Sequence, residues 1–110
     1  MEKSTAYRSI IKDVIRAEAQ PPNVGEIEVA TLFDDESGHY QLLYFGWNQK
    51  KRTFAVILHL RLHNGKVWIE RDGTADGIAN ALLAAGVPRE EIVLAFHSPW
   101  KRQFTEFAVA

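Results

Sequence analysis

The sequence contains no cysteine, which excludes a disulfide scaffold, a thiolate metal site and a cysteine nucleophile. It also lacks a long apolar run, since its unbroken apolar stretches are far shorter than the roughly 20 residues that a membrane-spanning helix needs. The first residues, Met1 to Thr5, include no apolar segment of the kind found in a signal peptide. We therefore expect a cytoplasmic protein without a membrane segment.

A surplus of basic residues is missing as well, because 13 Lys and Arg stand against 14 Asp and Glu, for a net charge of −1. Proteins that bind nucleic acid unaided usually carry such a surplus, since neutralising phosphates supplies most of their affinity. Basic residues do cluster at Lys50, Lys51 and Arg52, and again at Lys101 and Arg102. We expect contact with DNA to be indirect at most, and direct nucleic-acid binding through these clusters is the alternative.

Catalytic motifs are also absent: the sequence has no glycine-rich phosphate loop, no G-x-S-x-G and no H-E-x-x-H. His59 and His63 are four residues apart, which on a strand separates them by about 13 Å, too far to share one metal ion. The acidic turn Asp34–Glu36 is most simply a solvated turn. We expect no catalytic residue, no cofactor and no metal, and a pocket formed by His97, Arg102 and Glu106 is the enzymatic alternative.

What the sequence does contain is the composition of an ordinary globular protein, with 46% hydrophobic and 25% charged residues. A length of 110 residues leaves room for one core, so we expect a single domain over residues 1–110. From Ser4 to Ala19 apolar residues recur at helical spacing, which predicts an amphipathic helix. Pro21 and Pro22 end that helix.

Alternation of apolar and polar residues then predicts four strands joined by turns. These strands are Ile27–Phe33, Tyr40–Trp47, Thr53–Leu62 and Lys66–Arg71. Between the last two, Asn64 and Gly65 give the strongest hairpin signal, because a type I′ turn needs positive φ at both central residues. This turn predicts four cross-strand pairs: Leu62–Val67 and Leu60–Ile69 toward the core, with Arg61–Trp68 and His59–Glu70 on the opposite face.

A second helix is predicted from an N-cap at Thr74 through Leu83, with Gly86 and Pro88 preventing its continuation. Arg89–Glu91 is predicted to form a short helical turn, and the apolar run Ile92–Phe96 a short strand. The predicted fold is α+β: an antiparallel four-stranded meander with the N-terminal and second helices packed on one face, then a short C-terminal strand and a tail.

The second strand is apolar on both sides, so both faces of the sheet need cover. If the helices cover one face, then Phe45, Trp47, Ile57 and Trp68 still need shelter on the other. A large exposed aromatic patch is unusual in a monomer. Either the C-terminal tail or a second copy of the chain would provide this shelter. We therefore predict a homodimer or an obligate protein partner.

The tail from His97 to Phe107 mixes aromatic and charged residues and allows two interpretations. In the first it is a binding surface, with Trp100 and Arg102 as residue types common at interface hot spots and Lys101 as a charge at the rim. In the second, Trp100, Phe104 and Phe107 close the core while His97 and Arg102 bond nearby backbone. Both interpretations remain open at this point.

Several segments together resemble the XisI family of excision-controlling factors over nearly the whole chain. They are Tyr7-Arg8, Ile10-Ile11, Phe33-Asp34, Tyr40–Leu43, Gly46-Trp47, Gly65–Ile69, Gly77–Ala79, Gly86–Pro88, Ile92–Leu94, His97–Pro99 and Lys101–Ala108. The match in His97–Pro99 with Lys101–Ala108 is the most specific.

This resemblance implies an accessory protein of the cyanobacterial fdxN-element excision system, in which a site-specific recombinase performs the DNA chemistry. It implies a non-enzymatic regulator of DNA rearrangement whose partner is an XisH-like protein. The candidate partner-binding residues are His97, Trp100, Lys101, Arg102, Glu106, Trp47 and Trp68.

Overall fold

The structure, a computed structural model, describes residues 2–110, so Met1 lies outside it. In chain order its elements are α1 (Lys3–Glu18), β1 (Glu26–Asp34), β2 (His39–Asn48), β3 (Lys51–His63), β4 (Lys66–Asp72), α2 (Ile78–Ala84), a 3₁₀ turn (Arg89–Glu91), β5 (Ile92–Leu94) and α3 (Pro99–Arg102). The predicted helices, strands and helical turn are all present, with ends that differ by a few residues.

One five-stranded sheet has the order β1-β2-β3-β4-β5. The first four strands form an antiparallel meander, whereas β5 runs parallel to β4 after a crossover that contains α2. The predicted α+β class is confirmed. The parallel pairing of β5 was not predicted, since three apolar residues carry no signal for their partner strand.

The core lies between one face of the sheet, here called the inner face, and the two helices. Its buried residues come from α1 (Tyr7, Ile11, Val14, Ile15), from the sheet (Tyr40, Leu42, Leu58, Leu60, Val67, Ile69, Ile92), from α2 (Ile78, Leu82) and from the loop after α2 (Val87). Burying each large aliphatic side chain contributes roughly 1.5–3 kcal/mol. Helices α1 and α2 therefore share one face, as predicted, and neither of them covers the other, outer face.

The β3–β4 turn confirms the hairpin prediction, because Asn64 and Gly65 both have positive φ, 52° and 74°. Three of the four predicted pairs are confirmed: Leu62–Val67, Leu60–Ile69 and Arg61–Trp68. The fourth is wrong, since His59 pairs with Arg71. Glu70 has no partner opposite it because the register shifts there in a β-bulge, and its carboxylate lies 3.2 Å from Arg61 Nε instead.

A second bulge changes which side chains of β3 face outward. Leu42 pairs with Leu58, but the next residue, Leu43, pairs with Val56, so Ile57 is the extra residue. Ile57 packs against the core rather than lying on the outer face as predicted. Val56 lies on the outer face instead, opposite Leu43. Phe54, two residues before Val56 on β3, lies on the same face.

Helix α2 begins at Ile78, so the predicted N-cap at Thr74 is wrong. The capping group is Asp72 at the end of β4, whose Oδ2 accepts the Ile78 amide at 2.8 Å. Its other oxygen accepts the Thr74 amide at 3.0 Å. A carboxylate satisfies a free helix amide as well as a hydroxyl does, and here the polar side chain comes from a strand rather than from the adjacent loop.

A candidate interaction surface

The tail leaves β5 and returns beside it. Ser98 Oγ accepts the Lys101 amide at 3.3 Å and Pro99 follows it, which starts the short helix α3. Farther along, the Ala108 amide donates to the Ile92 carbonyl at 2.9 Å, and Val93 forms a parallel bridge with Ala108. The end of the tail is therefore attached to the edge of the sheet.

Arg102 holds this path together. Its guanidinium donates to four backbone carbonyls: that of Leu94 at the end of β5 (3.3 Å), and those of Ala95 (3.2 Å), His97 (3.0 Å) and Val109 (3.4 Å) in the chain that follows. The same group lies 5.6 Å from the centre of the Trp68 ring, which places the tail over the outer face at β4. Arg102 thus has a structural role, and its donors face the chain's own backbone.

The aromatic residues of the tail divide between core and solvent. Phe107 packs against the core, but Trp100 and Phe104 are 66% and 69% exposed, with their rings edge to face at 5.0 Å. Phe96 is exposed as well, and Lys101 lies beside Trp100 in α3. Trp100 and Phe104 are called the tail patch below. Of the two sequence interpretations, core closure describes Phe107, whereas Trp100 and Phe104 have the exposure that a binding surface requires.

The three residues of the enzymatic alternative contact different groups. Arg102 is bonded to backbone carbonyls, and the carboxylate of Glu106 pairs with Arg89 at 3.4 Å. The His97 ring packs on Phe96 at 4.6 Å. These contacts do not join His97, Arg102 and Glu106 into a catalytic constellation.

A second exposed apolar area lies on the outer face. Trp47 and Phe54 are 50% and 68% exposed, and the Arg52 guanidinium lies 5.4 Å from one ring and 5.9 Å from the other. Together with the partly buried Leu43, Phe45 and Val56 beside them they form the outer patch. Lys50, Lys51 and Arg52 are all exposed at the β2–β3 turn that borders this patch.

The other candidate on this face, Trp68, is in a different environment. The guanidinium groups of Arg61 and Arg102 both lie near its ring, at 5.0 Å and 5.6 Å from the centroid. Its indole Nε1 donates to the His63 carbonyl at 3.1 Å. Trp68 therefore anchors the tail to the sheet, whereas Trp47 remains open to solvent.

Sequence reasoning missed a polar cluster on the outer face. His39 Nδ1 lies 2.8 Å from His59 Nε2, and Gln41 Nε2 lies 3.3 Å from the other nitrogen of His59. The pair borders an open cavity of about 440 Å³, next to the β1–β2 turn. Only the β2–β3 register, which sets Gln41 opposite His59, could have revealed it.

The pKa of His59 is lowered from 6.5, first by partial burial and then by His39, with a smaller contribution from Arg61 against the opposing effect of Glu70. A histidine with a depressed folded pKa binds fewer protons than the unfolded chain does. Stability that is present above pH 6.5 is therefore lost as the pH falls below that value.

We expect this loss between pH 7.5 and pH 5 to be smaller in His59→Gln than in the wild type. The measurement is urea unfolding of both proteins at a series of pH values. His63→Gln, at the exposed end of the same strand, is the matched control. Identical pH profiles for the wild type and His59→Gln would contradict the assignment.

Residues 2–110 contain no group of three or more histidine, aspartate or glutamate side chains placed to hold a metal ion. Over the same range, every helix is too short or too polar to cross a bilayer.

Comparison with known proteins gives two kinds of match. A family model described as XisI protein matches residues 1–109. The crystal structure of a XisI-like protein from Anabaena variabilis ATCC 29413 is similar with a TM-score of 0.90 and 32% identity, over 97% of this chain and 99% of that one. The crystal structure of the fdxN element excision controlling factor XisI from the same organism has a TM-score of 0.81 and 38% identity, over 99% and 100%. Among curated proteins, none matches the chain.

Proposed function

Because the chain belongs to the XisI family, we propose that it is a non-enzymatic accessory factor that controls excision of a DNA element by binding an XisH-like protein. The similar protein of known structure is described as an excision controlling factor, which supports the regulatory role. A net charge of −1 favours action through a protein partner over independent binding to DNA.

The observation that carries the proposal is the tail patch. Trp100 and Phe104 are two large aromatic side chains held against each other in solvent by a tail that Arg102 makes rigid. Preorganised aromatic side chains with a basic neighbour such as Lys101 are typical of interface hot spots, because they bury much apolar area at little cost in conformational entropy. Neither ring packs into the core, whereas the Phe107 ring packs against it.

Trp100→Ala is expected to weaken the complex with the XisH-like protein by about thirtyfold or more, the loss typical of a hot spot truncated to alanine. Isothermal titration calorimetry with the two purified proteins measures this. Leu32→Ala is the matched control, because Leu32 is a similarly exposed apolar residue on β1, outside the tail. A wild-type chain that forms no complex at micromolar concentration, or an equal loss in both variants, would reject the proposal.

Direct binding of single-stranded nucleic acid is the second candidate. The exposed Lys50, Lys51 and Arg52 lie beside Trp47 and Phe54, and bases could stack on these rings while the basic side chains contact phosphates. Arg102 does not add to this basic surface, because its donors are bonded to backbone.

The second candidate predicts binding that weakens as salt increases. Lys50→Ala with Lys51→Ala should weaken it uniformly across sequences and flatten its salt dependence. Fluorescence anisotropy with labelled oligonucleotides measures both effects. Absence of binding near physiological ionic strength would remove this candidate.

A further inference from the structure

The charges around the outer patch follow a fixed order across the sheet. Glu26 on β1 pairs with Trp47 on β2, and Trp47 pairs with Arg52 on β3. Directly paired residues of antiparallel strands lie on the same face, so an acid, an aromatic ring and a base form one line across three strands. Neither Glu26 nor Arg52 forms an ion pair with any residue of the range 2–110.

The same order appears at the far end of these strands. Asp34 on β1 pairs with His39 on β2, and His39 pairs with Arg61 on β3. In the line next to Trp47, Glu28 pairs with Phe45, which pairs with Phe54. The outer face is therefore acidic toward both ends of β1, with Ala30 and Leu32 between the acids, apolar or neutral at β2, and basic at both ends of β3.

We propose that this face binds the same face of a second copy of the chain, with a twofold axis running along β2. Rotation about such an axis places β2 over β2 of the other copy and β1 over β3. Each Glu26 then faces Arg52 of the other copy, and Trp47 and Phe45 face their own counterparts. A face that carries acid on one side of an apolar line and base on the other is complementary to itself under this rotation.

The rest of the fold leaves room for this arrangement. The tail covers the outer face at β4, where Arg102 lies on Trp68. With β3 of one copy over β1 of the other, β4 and its tail lie beyond the edge strand β1. The tail patch stays free in the dimer, so the two surfaces serve different partners and the two proposals can fail independently.

A second copy also accounts for the exposure of the outer patch. Phe54 and Trp47 are more exposed than large aromatic residues of a small monomer ordinarily are, and a chain of 110 residues has little apolar surface to spare from its core. In this packing the Trp47 rings of the two copies lie against each other and Phe54 lies against β1 of the other copy, opposite Glu28, at the spacing of about 10 Å that stacked sheets adopt.

Reciprocal charge reversal tests the proposal. The wild type should have twice the mass of one chain by size-exclusion chromatography with multi-angle light scattering. Arg52→Glu and Glu26→Arg should each weaken the dimer by roughly tenfold or more, because each places like charges opposite each other twice in a symmetric interface. The variant with both changes should recover the dimer.

Lys101→Glu is the matched control, since it reverses an exposed basic residue of the tail and should leave the mass unchanged. Both reversed positions are exposed, so circular dichroism should show folded single variants. A monomeric wild type, a dimer that tolerates both single reversals, or a double variant no more dimeric than the single ones would each overturn the proposal.

Discussion

Arg102→Met is expected to lower the free energy of unfolding by about 3–5 kcal/mol and to free the tail from the sheet. The guanidinium bonds four backbone carbonyls, and a hydrogen bond from a charged donor contributes about 1.5–3 kcal/mol, although such bonds in one network do not add. Methionine keeps the aliphatic stem but donates nothing, so partly buried carbonyls lose their partner. Urea unfolding measures the loss, and hydrogen exchange of the Ala108 amide reports on tail attachment.

Lys101→Met is the control for Arg102→Met, since Lys101 is its exposed neighbour and should change stability by at most about 0.5 kcal/mol. Arg102→Lys tests geometry, because an ammonium group keeps the charge but cannot reach carbonyls in several directions at once. Arg102→Lys should therefore recover only a small part of the free energy of unfolding that Arg102→Met loses. If Arg102→Met matched Lys101→Met in stability and in Ala108 exchange, the structural role of Arg102 would be wrong.

Variants of Arg102 and Trp100 should affect partner binding in different ways, because Arg102 positions the tail patch whereas Trp100 is part of it. Under the proposed function, Arg102→Met should weaken binding of an XisH-like protein and loosen the tail together, because the tail patch depends on the path that Arg102 fixes. Trp100→Ala should weaken binding without changing Ala108 exchange. The two variants therefore distinguish a residue that orients the surface from one that forms it.

Local patterns were enough to predict much of the fold. The stripe that includes Ile11 and Ile15 predicted a helix with one buried face, and both residues are fully buried. Asn64 and Gly65 predicted a turn and, through it, the pairs nearest that turn. These features depend on residues close in sequence, where periodicity and turn conformation decide the outcome.

Departures from regular pairing were not predictable, because the extra residues of the two β-bulges, Ile57 and Glu70, are not the glycine that marks some bulge types. Strict alternation through Ile57 assigned the wrong side chains of β3 to the outer face. The bulge at Glu70 changed the partner of His59 from the predicted Glu70 to Arg71. The His39–His59 pair depends instead on the register between β2 and β3, which no turn signal in the sequence specified.

Residue type located the candidate surface but did not determine the role of each side chain. Trp100 and Arg102 are both hot-spot types two residues apart, yet one is exposed and the other is bonded to backbone. Burial depends on what the tail packs against, and that is set by Trp68 on a strand some thirty residues earlier. Sequence spacing within the tail carries no information about that contact.

Gly46→Ala is expected to lower the free energy of unfolding by about 3–5 kcal/mol. This is a large share of the roughly 5–15 kcal/mol by which a domain of this kind is stable. Gly46 has φ of 142°, a conformation that side chains with a Cβ rarely adopt, at the point where β1 approaches β2. A Cβ here would overlap the Glu26 carbonyl oxygen and lie 3.1 Å from Ile27 Cα. Because both neighbours are backbone, only displacement of β1 relieves the overlap, and urea unfolding measures the loss.

Gly65→Ala separates the two causes of that cost. Gly65 also has positive φ, 74°, but a Cβ there meets no atom within 4 Å. Gly65→Ala should therefore cost only the backbone strain, about 1 kcal/mol. The additional loss of stability in Gly46→Ala measures the steric contact between β1 and β2. The same close approach of the two strands holds Glu26 opposite Trp47. Equal losses of stability in the two variants would mean that β1 is displaced at little cost at this point. The position of Glu26 in the line of charges across the outer face would then not be fixed by the contact between β1 and β2.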